Sequence, residues 1–269
     1  MKIVLIGAGK VAGSLGRIFV QHGHQILQVM NRTAERGAPL ARELGAGFSD
    51  QFAAISPDAD LYVVALADRA LPELMLKWQL NNQLVVHTAG TLPITVLQGV
   101  SPRFGVLYPL QSLTGKIPVS GSVPFLIQAA HPDDLAQLMK LVHSVGSSCQ
   151  VVTDQQRLRM HVSAVWVNNF PNLMFSIAYR LCQEHQLSFE LLLPLIRETV
   201  LRMDPDKEPA RDPFYWQTGP AMREDLTTIR RHLELMNPHP DWKDLYEHLT
   251  EEIISYKSQM QDTTIQKAE

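Results

Sequence analysis

Lys2-Ile3-Val4-Leu5-Ile6-Gly7-Ala8-Gly9-Lys10-Val11-Ala12-Gly13 opens the chain with an apolar run, a glycine turn and the start of an amphipathic pattern. The aliphatic run reads as a buried strand, and Val11–Gln21 has the period of a helix. Gly-x-Gly-x-x-Ala between a strand and a helix is the fingerprint of a dinucleotide-binding turn. In that reading Gly7 permits the tight turn, Gly9 lets a pyrophosphate approach the backbone, and Ala12 allows the helix to pack closely on the strand. Ala8, Lys10 and Val11 complete a loop whose N–H groups, at the positive end of a helix, would receive the diphosphate.

The next strand, Gln25–Met30, leads into Asn31-Arg32-Thr33. An NAD site usually places Asp or Glu here, about 20 residues after the glycines, to bind the ribose 2′-hydroxyl. This chain has no carboxylate to repel a 2′-phosphate, and it has a guanidinium and a hydroxyl to bind one, so the expectation is NADP.

Further along, Leu61–Leu66, Leu84–Val86, Val123–Gln128 and Gln150–Val152 read as strands, with Gly105–Leu107 as a short addition. Helical patterns such as Leu135–Val145 lie between them. Strands alternating with helices predict a Rossmann-type α/β domain with a mostly parallel sheet over residues 1–153. Strand signals then stop. Gln155–Glu184, Ser188–Met203, Pro220–Met236 and Pro240–Tyr256 read as the helices of an all-α domain over residues 154–269, consistent with two domains at about 150 residues each. Pro171 cannot donate a helical hydrogen bond and should kink its helix.

With 24 basic against 27 acidic side chains the net charge is -3, which lacks the basic footprint of a nucleic-acid binder. The two cysteines, Cys149 and Cys182, have neither metal-ligand spacing nor the number for a disulfide framework. The longest apolar run, Leu61–Ala67, is far short of the roughly 18 residues of a membrane span. Met1-Lys2 enters a strand and a glycine turn rather than a secretory leader. The expectation is a soluble, cytoplasmic protein without a metal site.

In an open α/β sheet ligands lie beyond the carboxyl ends of the strands. Three such ends carry unusual residues: Ala67-Asp68-Arg69, His87-Thr88-Ala89-Gly90 and Tyr108-Pro109-Leu110-Gln111-Ser112. His87 is the candidate general acid, because imidazoles titrate near neutrality. Tyr108 is a candidate for donating a proton or orienting a carbonyl, or it packs on a loop. Arg157, His161, Asn168 and Asn172 form a polar stripe on a largely apolar helix, with Asn169 beside it. Buried amides need partners, and a carboxamide, a substrate or a neighbouring helix would each serve. In Thr218-Gly219-Pro220-Ala221-Met222-Arg223-Glu224-Asp225, Pro220 reads as the first residue of a helix. Arg223, one turn in, would hold a substrate carboxylate or form an ordinary ion pair.

The combination of Gly7-Ala-Gly-Lys-Val-Ala12, Asp60-Leu-Tyr-Val-Val-Ala-Leu-Ala-Asp68, His87-Thr-Ala-Gly90 and Thr218-Gly-Pro-Ala-Met-Arg-Glu-Asp225 resembles the Rossmann-like family that carries a DUF2520 C-terminal domain. That family is similar to the F420-dependent NADP oxidoreductases and, more distantly, to pyrroline-5-carboxylate reductases and β-hydroxyacid dehydrogenases. The resemblance implies an NADP-type first domain and a helical second domain that often forms the dimer interface, hence a homodimer through the C-terminal helices. It also implies that Asn169 matches an Asn kept beside the nicotinamide. Two departures stand out: Ala89 replaces the serine of His-Thr-Ser-Gly, and Tyr108-Pro109 stands where His-Pro is frequent. Asp154–Glu184 contains no Lys, unlike the corresponding helix of β-hydroxyacid dehydrogenases.

Together these readings predict an NADP(H)-dependent oxidoreductase acting on a small carbonyl or imine in an interdomain cleft, with His87 relaying the proton, Asn169 positioning the substrate and Arg223 holding a carboxylate. The alternatives are a non-catalytic NADP-binding module, and hydride exchange with a deazaflavin partner.

Overall fold

The computed structural model describes residues 1–71, 78–117, 122–203 and 212–266. Eight strands form one sheet: β1 (Lys2–Ile6), β2 (Gln25–Met30), β3 (Gly47–Ser49), β4 (Leu61–Val64), β5 (Leu84–His87), β6 (Phe104–Pro109), β7 (Phe125–Ala129) and β8 (Cys149–Val151). Their order is β3-β2-β1-β4-β5-β6-β7-β8. All neighbours run parallel except β6 and β7. The chain therefore builds a Rossmann-like, mostly parallel sheet followed by a helical C-terminal region, as the alternation of textures predicts. The three-residue strand β3 carries too little side chain to leave a mark in the sequence pattern.

Strands buried on both faces need cover on both, and the sheet has it. Ile3 and Leu5 pack with Leu15 and Phe19 of α1 (Lys10–Gln21), Leu40 of α2 (Ala34–Glu43) and Leu138 of α3 (Pro132–Ser144). On the other face Val4, Ile6, Tyr62 and Val64 meet Leu71, Trp78 and Leu97. Alternate residues of β1 thus serve separate cores, and a one-residue slip of register would exchange them.

The helical region begins at a capping box: Thr153 accepts from the Gln156 N–H while Gln156 Oε1 accepts from the Thr153 N–H. From it runs α4 (Asp154–Ala164), then a π-helical turn over Val165–Asn169, then α5 (Phe170–Glu184). The irregular turn falls where Pro171 removes a backbone donor.

The chain divides into two compact units, Met1–Pro171 and Asn172–Glu269. In the second unit a 3₁₀ turn over Phe189–Leu192 leads into α6 (Leu193–Leu201). The expected single helix over Pro220–Met236 is corrected to two: α7 (Pro220–Arg223) and α8 (Leu226–Leu235). Glu224 turns left-handed at φ 53°, and Asp225 starts a new helix by accepting from the Thr228 N–H at 3.1 Å. The last helix, α9, covers Pro240–Gln266. Among the described residues no helix is long and apolar enough to cross a membrane, and no group of three His, Cys, Asp or Glu side chains is placed to hold a metal.

Candidate functional site

At the carboxyl edge of β1, Gly7 adopts φ +112°, donates its N–H to the Met30 carbonyl at 2.8 Å, and leaves no space for a side chain. A Cβ there would stand 2.4 Å from the Ala65 carbonyl oxygen. Gly9 is different. Its φ of -81° suits any residue, and a Cβ on it would meet nothing within 4 Å. It is the N-cap of α1 and offers no side chain to the first N–H groups, which lack helical partners by construction. An uncapped helix start facing open space, with no acidic residue in its first turn, suits an anion. Ala12 is fully buried beneath it. The residues present therefore fit a dinucleotide diphosphate.

The loop after β6 lies across this helix. Ser14 Oγ donates to the Lys116 carbonyl at 2.7 Å, and Arg17 donates to the Gly115 carbonyl. Arg17 also forms a two-point pair with Glu43 of α2, both bonds at 2.6 Å. At the end of β2, the Asn31 side chain donates to the Thr33 carbonyl and hydroxyl at 2.9 and 3.1 Å. Arg32 stands exposed between them.

A second cluster lies at the carboxyl ends of β4, β5 and β6. Tyr108 Oη is 2.8 Å from Nδ1 of His161, with the rings edge to face. Gly90 permits this, since a Cβ on it would lie 2.8 Å from His161 Nδ1 and 3.2 Å from Tyr108 Cε2. Burial and the charge of Asp68 push the Tyr108 phenol up, with Arg157 opposing. Asp68 accepts a short hydrogen bond from Thr91. Beneath the cluster, Arg157 is fully buried. Its guanidinium donates to Gln128 at 3.1 Å, to Asp154 at 2.9 Å and to the Leu92 carbonyl. Asp154 also accepts from the Ile94 N–H at 3.1 Å, so α4 is tied to the segment after β5 by the bonds of Asp154 to Ile94 and of Arg157 to Leu92.

Comparison with known proteins places the chain in a family. Residues 2–90 match the profile described as NADP oxidoreductase, coenzyme F420-dependent, and residues 123–253 match a domain of unknown function, DUF2520. A Bacteroides fragilis protein assigned as an NADP oxidoreductase is 34% identical, covering 94% of this chain and 98% of its own at a TM-score of 0.86. The chain belongs to this NADP oxidoreductase family. A 1-pyrroline-5-carboxylate reductase of Streptococcus pyogenes (13% identity, 95% and 98% coverage, TM-score 0.64) shares the fold. So does a reductive aminase of Aspergillus terreus, solved with NADPH and ethyl-5-oxohexanoate (16%, 93% and 94%, 0.66). No curated protein sequence matches.

In this member of the NADP oxidoreductases, the candidate residues of the sequence are dispersed. Gly7, Ala8, Gly9, Lys10, Val11 and Ala12 form one loop, and Asn31, Arg32 and Thr33 one turn. Ala67 is exposed at the β4 end, and Asp68 follows it in a short 3₁₀ turn. His87, expected as the general acid, closes β5. Its ring has no exposed surface, and Nδ1 accepts from the Ala89 N–H at 3.2 Å. Burial, followed by the Arg157 charge, pushes its pKa down to about 4. Asn169 is exposed in the π-helical turn, where its side chain accepts from Asn168 at 3.4 Å. Arg223 ends a four-residue helix in the second unit, too short to gather the dipole that the expected long helix would have supplied. The pairing of Tyr108 with His161 escapes sequence reasoning. Each residue is noticeable alone, but nothing in the pattern joins them across 53 residues.

Proposed function

We propose that the chain is an NADP(H)-dependent oxidoreductase that reduces a small carbonyl or imine at the carboxyl ends of β4, β5 and β6. The open, uncapped start of α1 above Gly9 carries this reading. Gly7 through Ala12 would bind the diphosphate there, and Ala67 and Asp68 would flank the nucleotide at the β4 end. Bound NADPH supplies a hydride. Arg32, exposed in the turn between Asn31 and Thr33, would bind the 2′-phosphate. The carbonyl and imine chemistry of the fold relatives supports this choice of substrate class. Titration calorimetry with NADPH and NADH is the test. NADPH affinity should fall at least about tenfold in Arg32→Ala, roughly 1.4 kcal/mol, with NADH unaffected. Binding of neither nucleotide would remove the proposal's basis.

A second reading keeps the cofactor and makes a deazaflavin the hydride acceptor, favoured by the description of the family that covers residues 2–90. Oxidation of bound NADPH by coenzyme F420 but by no carbonyl or imine would select it. Binding without oxidation by any of the three would leave a nucleotide-binding module.

The proposal includes a homodimer through the C-terminal helices. Neither α5 nor α6 buries a residue in the single chain, although both are rich in large apolar side chains.

A further inference from the structure

We propose that Tyr108 is the catalytic acid of this oxidoreductase, delivering a proton from Oη to the substrate heteroatom, and that His161 is its positioning residue. The inference rests on the reading of the chain as an NADPH-dependent reductase. It begins from a contact with no evident need in the fold. A strand-end phenol and a helix imidazole, from β6 and α4, meet at 2.8 Å. They do so over a glycine whose Cβ would displace them.

Three features give the pair chemical meaning. It lies where an open α/β sheet places its ligand, beyond the carboxyl ends of the strands. Both residues are only partly buried, as groups that meet a bound molecule must be. By contrast, His87, the other aromatic acid at this edge, is sealed. Burial and the Asp68 carboxylate keep the phenol protonated well into the alkaline range. The titratable and charged groups around Tyr108 are Asp68 from the β4 end, His87 from β5, and Arg157, Asp154 and His161 from α4. The Arg157 guanidinium is engaged by Asp154, Gln128 and Leu92. His161 is therefore the group hydrogen-bonded to the phenol.

The step balances as follows. Hydride from the nicotinamide reduces the carbon of a neutral C=N or C=O bond, and the nicotinamide is oxidised. The O–H bond of Tyr108 breaks as its proton bonds to the heteroatom. The phenolate left behind takes the Nδ1 proton of His161 while Nε2 of the same ring takes one from solvent, so the ring stays neutral. A substrate already carrying a permanent positive charge on nitrogen needs the hydride alone, so it bypasses Tyr108.

That difference provides the test. 3,4-Dihydroisoquinoline, at a pH where it is the neutral imine, and the N-methyl-3,4-dihydroisoquinolinium salt are offered with NADPH to the wild type and to Tyr108→Phe. General acid catalysis is worth about a hundredfold or more, so the variant should lose that factor in kcat with the neutral imine. With the iminium salt its kcat, and with either substrate its NADPH affinity, should match the wild type. His161→Ala should flatten the pH dependence of imine reduction without a comparable change in KM. In the nucleotide-free protein, nitrogen NMR of the His161 ring should report a hydrogen-bonded Nδ1 that loses its partner in Tyr108→Phe. Equal retention or equal loss of both activities in Tyr108→Phe would overturn the proposal and leave the reductase reading standing. A His161 signal indifferent to that substitution would overturn the pairing itself. A wild type that reduces neither compound, while binding NADPH, removes the reductase reading and this proposal with it.

Discussion

Gly90 lies so close to His161 that a methyl group on its Cα would stand 2.8 Å from Nδ1 and 2.9 Å from Cγ. The same Nδ1 is bonded to Tyr108 Oη at 2.8 Å, so the ring cannot retreat from Gly90 without losing that bond. Overpacking of this kind costs about 1–3 kcal/mol. Gly90→Ala should therefore destabilise the protein by that amount in urea denaturation. In a His161→Ala background the same substitution should be nearly neutral, because the obstructing ring is gone. A double-mutant cycle measures the difference, and additive effects would show that the contact exerts no pressure.

The His87 ring makes stability depend on pH. Its folded pKa of about 4 lies below the ordinary imidazole value of 6.5. Between those values the unfolded chain binds a proton that the folded chain refuses, so stability falls as pH drops from about 6.5 toward 4 and then levels. The shift corresponds to about 3 kcal/mol. His87→Asn keeps an acceptor for the Ala89 N–H and removes the titration. Its urea midpoint should be flatter than that of the wild type across this window. An unchanged slope would mean that other groups carry the acid sensitivity.

The same histidine marks where sequence reading stops. The strand, the glycine turn and the helix after it were legible because each has a local cause: a buried aliphatic run, a residue free at positive φ, and an apolar stripe of period 3.6. The sheet followed from their alternation. His87 was visible as a strand-end histidine, but its burial, and the Arg157 charge that adds to its effect, come from residues distant in sequence. The ion pair of Arg157 with Asp154 was within reach, three residues apart on one helix. Its contacts with Leu92 and Gln128 were not. The break at Glu224 was concealed by the strong helix-start signal of Pro220, although Asp225 was itself a second cap residue with Thr228 three positions on.

The exposed apolar surface of the C-terminal helices leads to a prediction about assembly. Val167 and Leu191 are 77% and 79% exposed, and Trp166, Leu173, Leu187 and Leu195 are also open. Large apolar side chains left this open mark surfaces that other chains cover. The single chain should sediment as a dimer at micromolar concentration. Leu191→Asp and Leu195→Asp together should shift it toward monomer and lower its thermal midpoint. A wild-type monomer at that concentration would exclude the proposed homodimer.

Gly7 and Gly9 are two residues apart in one motif, yet the structure gives them opposite vulnerabilities. At Gly7 a side chain meets both a φ of +112° and the Ala65 backbone carbonyl at 2.4 Å, and backbone cannot swing aside as a flexible side chain would. Ala65 is further fixed by the bond from its N–H to the Ile6 carbonyl at 2.8 Å. Gly7→Ala should thus destabilise the folded protein by about 3 kcal/mol or more, from backbone strain and overpacking together. At Gly9 the backbone angle is ordinary and the space is empty. Gly9→Ala should leave the nucleotide-free protein within about 0.5 kcal/mol of the wild type. The added methyl instead occupies the room above the uncapped start of α1. The thermal shift produced by NADPH, which reports affinity through mass action, should shrink as binding weakens about tenfold or more. An undiminished shift in Gly9→Ala would mean that the diphosphate does not approach the backbone at this position, and the loop would lose its place in the cofactor site.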